Sequence, residues 1–391
     1  MISVEEAKRI LRAKAQLQPT DRVALTHAGG AYTGTDILAP RDHPLFDCSA
    51  VDGYAFAFDA AVKEWRVAGE VPAGKVFSGE LERGECLRIF TGAMVPASAD
   101  TVVMQEFVQR EGDRITHTDA KLRAGGNVRK QGEQVRIGDR LLASGARVDA
   151  AAIGLLASCG IRSVDVHRRP RVAVIVTGDE FSADADPASG RIFSSNDAML
   201  LAALDQQGSG AELLHATDDE GVLRAAVQKA TMMADLVITT GGASVGDHDL
   251  IRPVLEQMGA AIHFHGVAQK PGKPMLFAEL GDTPIIALPG NPRAVMILFW
   301  EYVLPFLRTM QAARDPWLRT EHLPITHAVT LKGDRAEFRA AQVKDGRVTL
   351  LADEGSHMLR SLVDADALAY FPATMRTLNA NEPVEVHHIP R

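Results

Sequence analysis

The chain of 391 residues is 46% hydrophobic and 24% charged, the makeup of a soluble globular protein with room for roughly two to four domains. Its net charge of −8 excludes a general nucleic-acid binder, though not a site for one small anion in a locally basic pocket. No apolar run reaches the roughly 18 residues that a membrane span requires.

The N-terminal MISVEEAKRILRAK reads as an amphipathic helix with Ser3 and Glu6 spaced as a capping box, and not as a secretory signal. From there to about Arg168 the sequence predicts short strands and turns. SAVDGYAFAF sets Asp52-Gly53 between apolar residues, a hairpin signal, and ECLRIFTGAMVPASADTVVMQEFV offers two β-rich runs with Thr91 on a turn after the first. Arg123, Arg129 and Lys130 form a basic stretch that can meet an anion or simply face solvent. A helix ending at Gly160 follows, and Arg169-Pro170 punctuates the chain.

Beyond that point the pattern becomes strand, glycine turn, helix, repeated. RVAVIVTGDE, AELLHAT, ADLVITTGG and TPIIALPGNP read as strands, with helices predicted over Asn196 to Gln207, DEGVLRAAVQKATMM, DLIRPVLEQMG and AVMILFWEYVLPFLRTM. Apolar strands alternating with helices imply a mostly parallel sheet covered on both faces, with ligands bound beyond the C-terminal strand ends. From about Asp315 the chain returns to short alternating runs, EFRAAQV, RVTLLA, ALAYFP and PVEVHHI, which predict a small all-β domain.

Several stretches could carry chemistry. In VITTGGASVGDHD, Gly241 and Gly242 let the backbone turn with its N–H groups outward, Ser244 adds a hydroxyl and Gly246 a further bare position. The helix that follows brings the positive end of its dipole, so the segment reads either as a phosphate cradle or as a plain strand-to-helix turn. It is not a Walker loop, because no Lys-Ser or Lys-Thr follows. TGDEF repeats the device with Asp179 and Glu180, and carboxylates converging with Asp247 and Asp249 would make a Mg²⁺ site beside phosphates. QKPGKP holds Lys270 and Lys273 on a rigid turn suited to oxyanions, and Pro289 and Pro292 stiffen the LPGNP loop.

Other signals are weaker. His263 and His265 share a strand face but have no third ligand, and His387 and His388 near the C-terminus are expected to be solvated. Cys48, Cys86 and Cys159 follow no metal or redox spacing and are expected to be small buried residues in a reduced, cytoplasmic setting. No nucleophile elbow or Ser-His-Asp order anchors hydrolase chemistry.

Taken in order, SAVDGYA, RIFTGAMVPASADTVVMQE, TGDE, TTGGASVGDHD, KPGKP and LPGNP resemble the MoeA family, the molybdopterin molybdenumtransferases related to the E domain of gephyrin. The resemblance runs from SVEEAKRIL through EGSHMLRSL, essentially the whole chain. It implies a central MogA-like α/β domain at 168–313, a linker domain of 1–43 plus 127–167, a β-rich inserted domain at 44–126, and a β-barrel-like domain at 314–391. It implies insertion of molybdenum from molybdate into adenylylated molybdopterin with release of AMP, a Mg²⁺ requirement, and a homodimer. The cleft would form between the α/β domain of one subunit and a β domain of the other. Transient contact with other cofactor-biosynthesis proteins is compatible with it; no nucleic acid or membrane partner is implied.

Carried over by position, Asp52, Thr91, Glu180, Asp249, Lys270 and Lys273 match functional residues of the family. Asp218 matches a further acid, Pro289 and Pro292 the rigid loop, and Arg339 and Ser356 polar positions of the tail domain that face the cleft. Two departures stand out: Gln134 where the family often has an acid, and Gly266 where some members have a lysine. The rival readings are a MogA-like adenylyltransferase, disfavoured by the flanking β regions, and a pterin-binding scaffold without turnover.

Overall fold

The computed structural model describes residues 1–181, 190–241, 250–352, 355 and 357–390. The long apolar runs form the central sheet. Its order runs from Ala211–Ala216 through Val172–Thr177, Leu236–Thr240, Thr283–Leu288 and Leu276–Leu280 to Ala261–His265. Neighbours pair in parallel as far as Thr283–Leu288, and Leu276–Leu280 then runs against both of its neighbours. The expected mostly parallel sheet is therefore present, with one reversed strand. Val172–Thr177 and Leu236–Thr240 are buried along their whole length, because helices cover both faces and leave no solvent side on which to alternate.

Asn196–Asp205 and Pro292–Leu298 lie on one side of the sheet, while Glu220–Met233 and Ile251–Gln257 pack on the other. The N-terminal helix Val4–Lys14 joins the first of these two layers, burying Val4, Ala7 and Leu11 in the same core. Ser3 caps it by accepting from the Glu6 N–H at 3.1 Å, but the Glu6 carboxylate turns to Arg9 instead of completing the box.

Ahead of the central unit, a six-stranded sheet is built on Gly53–Phe56, which pairs with Glu85–Ile89 and Thr101–Met104. The predicted hairpin at Asp52-Gly53 does not form: Cys48–Ser49 pairs instead with Val128–Arg129. The glycine is needed for a different reason. A Cβ at Gly53 would lie 1.9 Å from the Val103 carbonyl oxygen, so only a bare residue lets the two strands meet there. All three cysteines are buried as expected.

The tail forms the small β domain. Ala336–Lys344, Ala367–Phe371, Pro383–His388 and Thr320–Pro324 are antiparallel neighbours, Arg347–Leu350 adds to the edge of the first, and an Ile325–Val348 bridge brings the two ends together as a barrel. Among the described residues no helix is long and apolar enough to cross a membrane.

His387 contradicts the sequence expectation. It is 4% exposed, wedged between the barrel and Glu301 of the π-helical turn Phe299–Val303, whereas His388 is half-buried beside Glu321.

Candidate active site

Three glycine turns arrive at the C-terminal edge of the parallel strands, where the fold leaves its crevice. Thr177-Gly178, Gly241 and Pro289-Gly290 close around a cleft of about 580 Å³ that Glu180, Asp218 and Pro292 also line. Gly241 makes the approach possible. Its φ is 88°, and a Cβ would stand 2.4 Å from Thr177 O and 2.5 Å from Thr177 Oγ1.

Asn196, at the start of its helix, ties the turns together. Its Nδ2 donates to Thr240 Oγ1 at 2.9 Å and to Gly290 O at 2.8 Å, while Thr240 Oγ1 donates to Pro289 O at 3.2 Å. Two polar atoms remain over: Asn196 Oδ1 and Thr177 Oγ1 are buried without a hydrogen-bond partner among the described residues. Native interiors leave few such atoms, and those that persist point to a water, ion or ligand. On the rim, Ile192 and Phe193 are 55% and 60% exposed and give the polar cleft an apolar lip.

Glu180 and Asp218 are exposed carboxylates in this cleft, and with the Thr177 hydroxyl they make an all-oxygen donor set. Such donors suit Mg²⁺, which keeps several waters and needs few protein ligands. Among the described residues no group of three or more His, Cys, Asp or Glu is arranged to hold a metal ion. Asp247 and Asp249, together with Gly242, Ser244, Gly246 and Ser356, lie outside the described residues.

The lysine turn belongs to two units at once. Gln269–Lys270 pairs in parallel with the barrel strand Ala336–Lys344, setting Lys270 opposite Glu337. Lys270 and Lys273 are exposed, and neither forms an ion pair among the described residues. Lys270, Arg293, Glu337 and Arg339 line a small recess of about 20 Å³. Arg339 donates through Nε and Nη2 to Glu337 Oε2 at 2.9 and 2.7 Å, so it lines this recess and not the main cleft. Gly266, just before the turn, has a φ of 92°, a conformation that costs a side-chain-bearing residue energy.

Asp52 and Thr91 meet each other. The Thr91 N–H and hydroxyl both donate to Asp52 Oδ1, at 2.8 and 2.7 Å, and these bonds, the backbone one foremost, hold the carboxyl below its ordinary value. The pair sits on the N-terminal sheet, and neither it nor Arg129 lines the α/β cleft of the same chain. Arg129 and Gln134 are exposed, while Lys130 is held by Asp47 at 2.8 Å.

Sequence reasoning missed Asn196 and Arg293. A polar residue at a helix start next to a glycine-turn strand was the available signal for Asn196. Arg293 is 2% exposed and donates to Met358 O at 3.3 Å and to Ser361 Oγ, linking the LPGNP loop to the barrel. Nothing local in GNPRAV announces that contact.

Known families match along nearly the whole chain. "MoeA N-terminal region (domain I and II)" matches residues 2–160, "Probable molybdopterin binding domain" 173–309, and "MoeA C-terminal region (domain IV)" 322–389. The molybdopterin molybdenumtransferase of Nostoc sp. is 33% identical over 95% of this chain and 89% of its own. That of Bacillus subtilis is 33% identical over 98% and 93%. The crystal structure of the molybdopterin biosynthesis moeA protein from Pyrococcus horikoshii OT3 superposes with a TM-score of 0.84 at 27% identity, covering 100% of both chains. With three successive domains matched in order and full-length relatives above 30% identity, the chain belongs to the MoeA family.

Proposed function

We propose that the chain is a molybdopterin molybdenumtransferase, inserting molybdenum from molybdate into adenylylated molybdopterin with release of AMP. The observation that carries this reading is the cleft itself. Bare turns, two buried oxygens unpartnered among the described residues, and two carboxylates converge where an open α/β sheet binds ligands. Backbone N–H groups at Gly241 and beyond would receive the phosphates, and Gly242, Ser244 and Gly246 extend the same turn. The apolar lip of Ile192 and Phe193 offers a face for the flat pterin.

Lys270 and Lys273 supply positive charge for molybdate oxygens or the departing AMP, with Arg339 behind them in the recess. Glu180, Asp247 and Asp249 would hold Mg²⁺, which supplies Lewis-acid polarisation of the phosphoanhydride. Pro289 and Pro292 keep the third loop from collapsing into the cleft. Asp52 and Thr91 stand apart from the cleft of their own chain. That separation supports a homodimer in which each copy's pair faces the other's α/β unit. The division into 1–43 with 127–167, 44–126, 168–313 and 314–391 is part of the same proposal, as is a cytoplasmic setting.

The test is incubation with adenylylated molybdopterin, molybdate and Mg²⁺, following AMP and active cofactor. Molybdate-dependent AMP release supports the reading. Adenylate formation from ATP and molybdopterin, or tight binding without turnover, overturns it. Asp249→Ala is expected to keep the fold and lose the reaction; unchanged turnover would remove that residue from the site.

A further inference from the structure

A second cavity, of about 790 Å³, opens where the chain passes from the α/β unit into the barrel, and it shares no lining residue with the cleft. Arg12, Arg308, Arg314 and Arg319 line it together with Trp317, against one carboxylate, Asp315. In a chain of net charge −8 this is a local reversal of sign.

Arg308 is the informative member. It is half-buried, its Nη1 donates only to Pro316 O at 3.3 Å, and its Nε is buried with no partner among the described residues. Burial depresses its pKa, Tyr32 works the other way, and the like charge of Arg147 lowers it further. Arg12 and Arg314 form no ion pair among the described residues. Arg319 reaches Glu321 only at 3.5 Å and spends a second contact on His388 at 3.1 Å. Four guanidinium groups gathered against a single lining carboxylate repel one another, and the half-buried Arg308 also loses hydration, a cost that an entering anion offsets.

We propose that this cavity binds a small anion carrying linked phosphates, held by Arg308 and Arg319 with Arg12 and Arg314 at the mouth. Planar guanidinium forks match phosphate oxygens two at a time, which lysines do not. The volume falls within the range of small-molecule sites, about 300–1,000 Å³. The linked phosphates come either from an inorganic polyphosphate or from a nucleotide, whose base would use the Trp317 indole. This assignment is independent of the reading of the cleft.

The experiment titrates pyrophosphate into the Lys270→Ala/Lys273→Ala variant, which weakens phosphate capture at the cleft, and follows tryptophan fluorescence and heat. We expect saturable binding that weakens with added salt and a fluorescence change that Trp317→Phe abolishes, since Trp317 is one of only three tryptophans. Arg319→Gln and Arg314→Gln, both at exposed positions, should each weaken binding about tenfold while leaving the unfolding midpoint in place. A nucleotide source is indicated if ADP binds more tightly than pyrophosphate and Trp317→Ala removes the difference. Equal affinities indicate an inorganic source. Absence of saturable binding, or binding untouched by both arginine variants, overturns the assignment.

Discussion

His387 Nδ1 donates to Glu301 Oε1 at 2.6 Å, and His387 Nε2 donates to Glu385 Oε1 at 3.0 Å. Both ring nitrogens face carboxylates, so the imidazole is held as the cation. Burial alone would lower its pKa, but the hydrogen bonds it donates to Glu301 and Glu385 prevail and raise it. Burial likewise works to raise the Glu301 carboxyl, yet Lys8 at 2.7 Å and His387 hold it below its ordinary value. Tyr302, Tyr370 and Glu5 complete the polar surroundings.

From this follows a stability profile. The raised histidine contributes fully below its ordinary 6.5 and loses that contribution as pH rises through its folded value. The depressed carboxyl contributes fully above 4.5 and fails as pH falls through its folded value. Denaturant midpoints should therefore be highest between 4.5 and 6.5 for this network and decline on both sides. His387→Ala, which leaves the buried Glu301 carboxylate with Lys8 as its remaining partner, should cost about 2 kcal/mol and remove the decline on the alkaline side.

Asp52→Ala deprives the Thr91 N–H and hydroxyl of their shared acceptor on an exposed turn. Circular dichroism should show the fold intact, while AMP release falls about a hundredfold if the pair completes a cleft on a second copy. Mixing Asp52→Ala with Asp249→Ala chains should then restore part of the activity, because mixed dimers contain one cleft with neither defect. No restoration would argue against a shared cleft.

Gly241→Ala must place a Cβ 2.4 Å from Thr177 O at a φ of 88°. We expect a loss of more than about 1 kcal/mol, with a larger fall in pterin affinity than in stability. Gly281→Ala, at a φ of 60° with open space around it, controls for backbone strain without the steric clash.

Asn196→Asp keeps the shape and replaces the Nδ2 donor with an acceptor facing Thr240 Oγ1 and Gly290 O. The loss should read out as a raised KM and a lowered unfolding midpoint, by about 2 kcal/mol, since buried acceptors lose their partner.

The central unit was legible because continuous apolar runs bounded by glycine can hardly be anything but buried parallel strands. The barrel was legible from its period of two. Asp52-Gly53 misled because a glycine between apolar residues has two explanations, a turn that bends and a strand that must come close, and Val103 selects the second. His387 was opaque for another reason: its partner Glu301 lies 86 residues away and only the packed barrel brings them together. Arg293 and Ser361 are likewise separated by 68 residues. Local chemistry announced the turns of the site, and the fold supplied the side chains that brace them.

One stitch has a mechanical consequence. Because Gln269–Lys270 is paired into the barrel sheet while the flanking chain stays in the α/β core, the lysine turn cannot move with the cleft wall alone. A rotation of the barrel would carry the Lys270 ammonium with it. The setting of the barrel and the position of that positive charge then form a single coordinate.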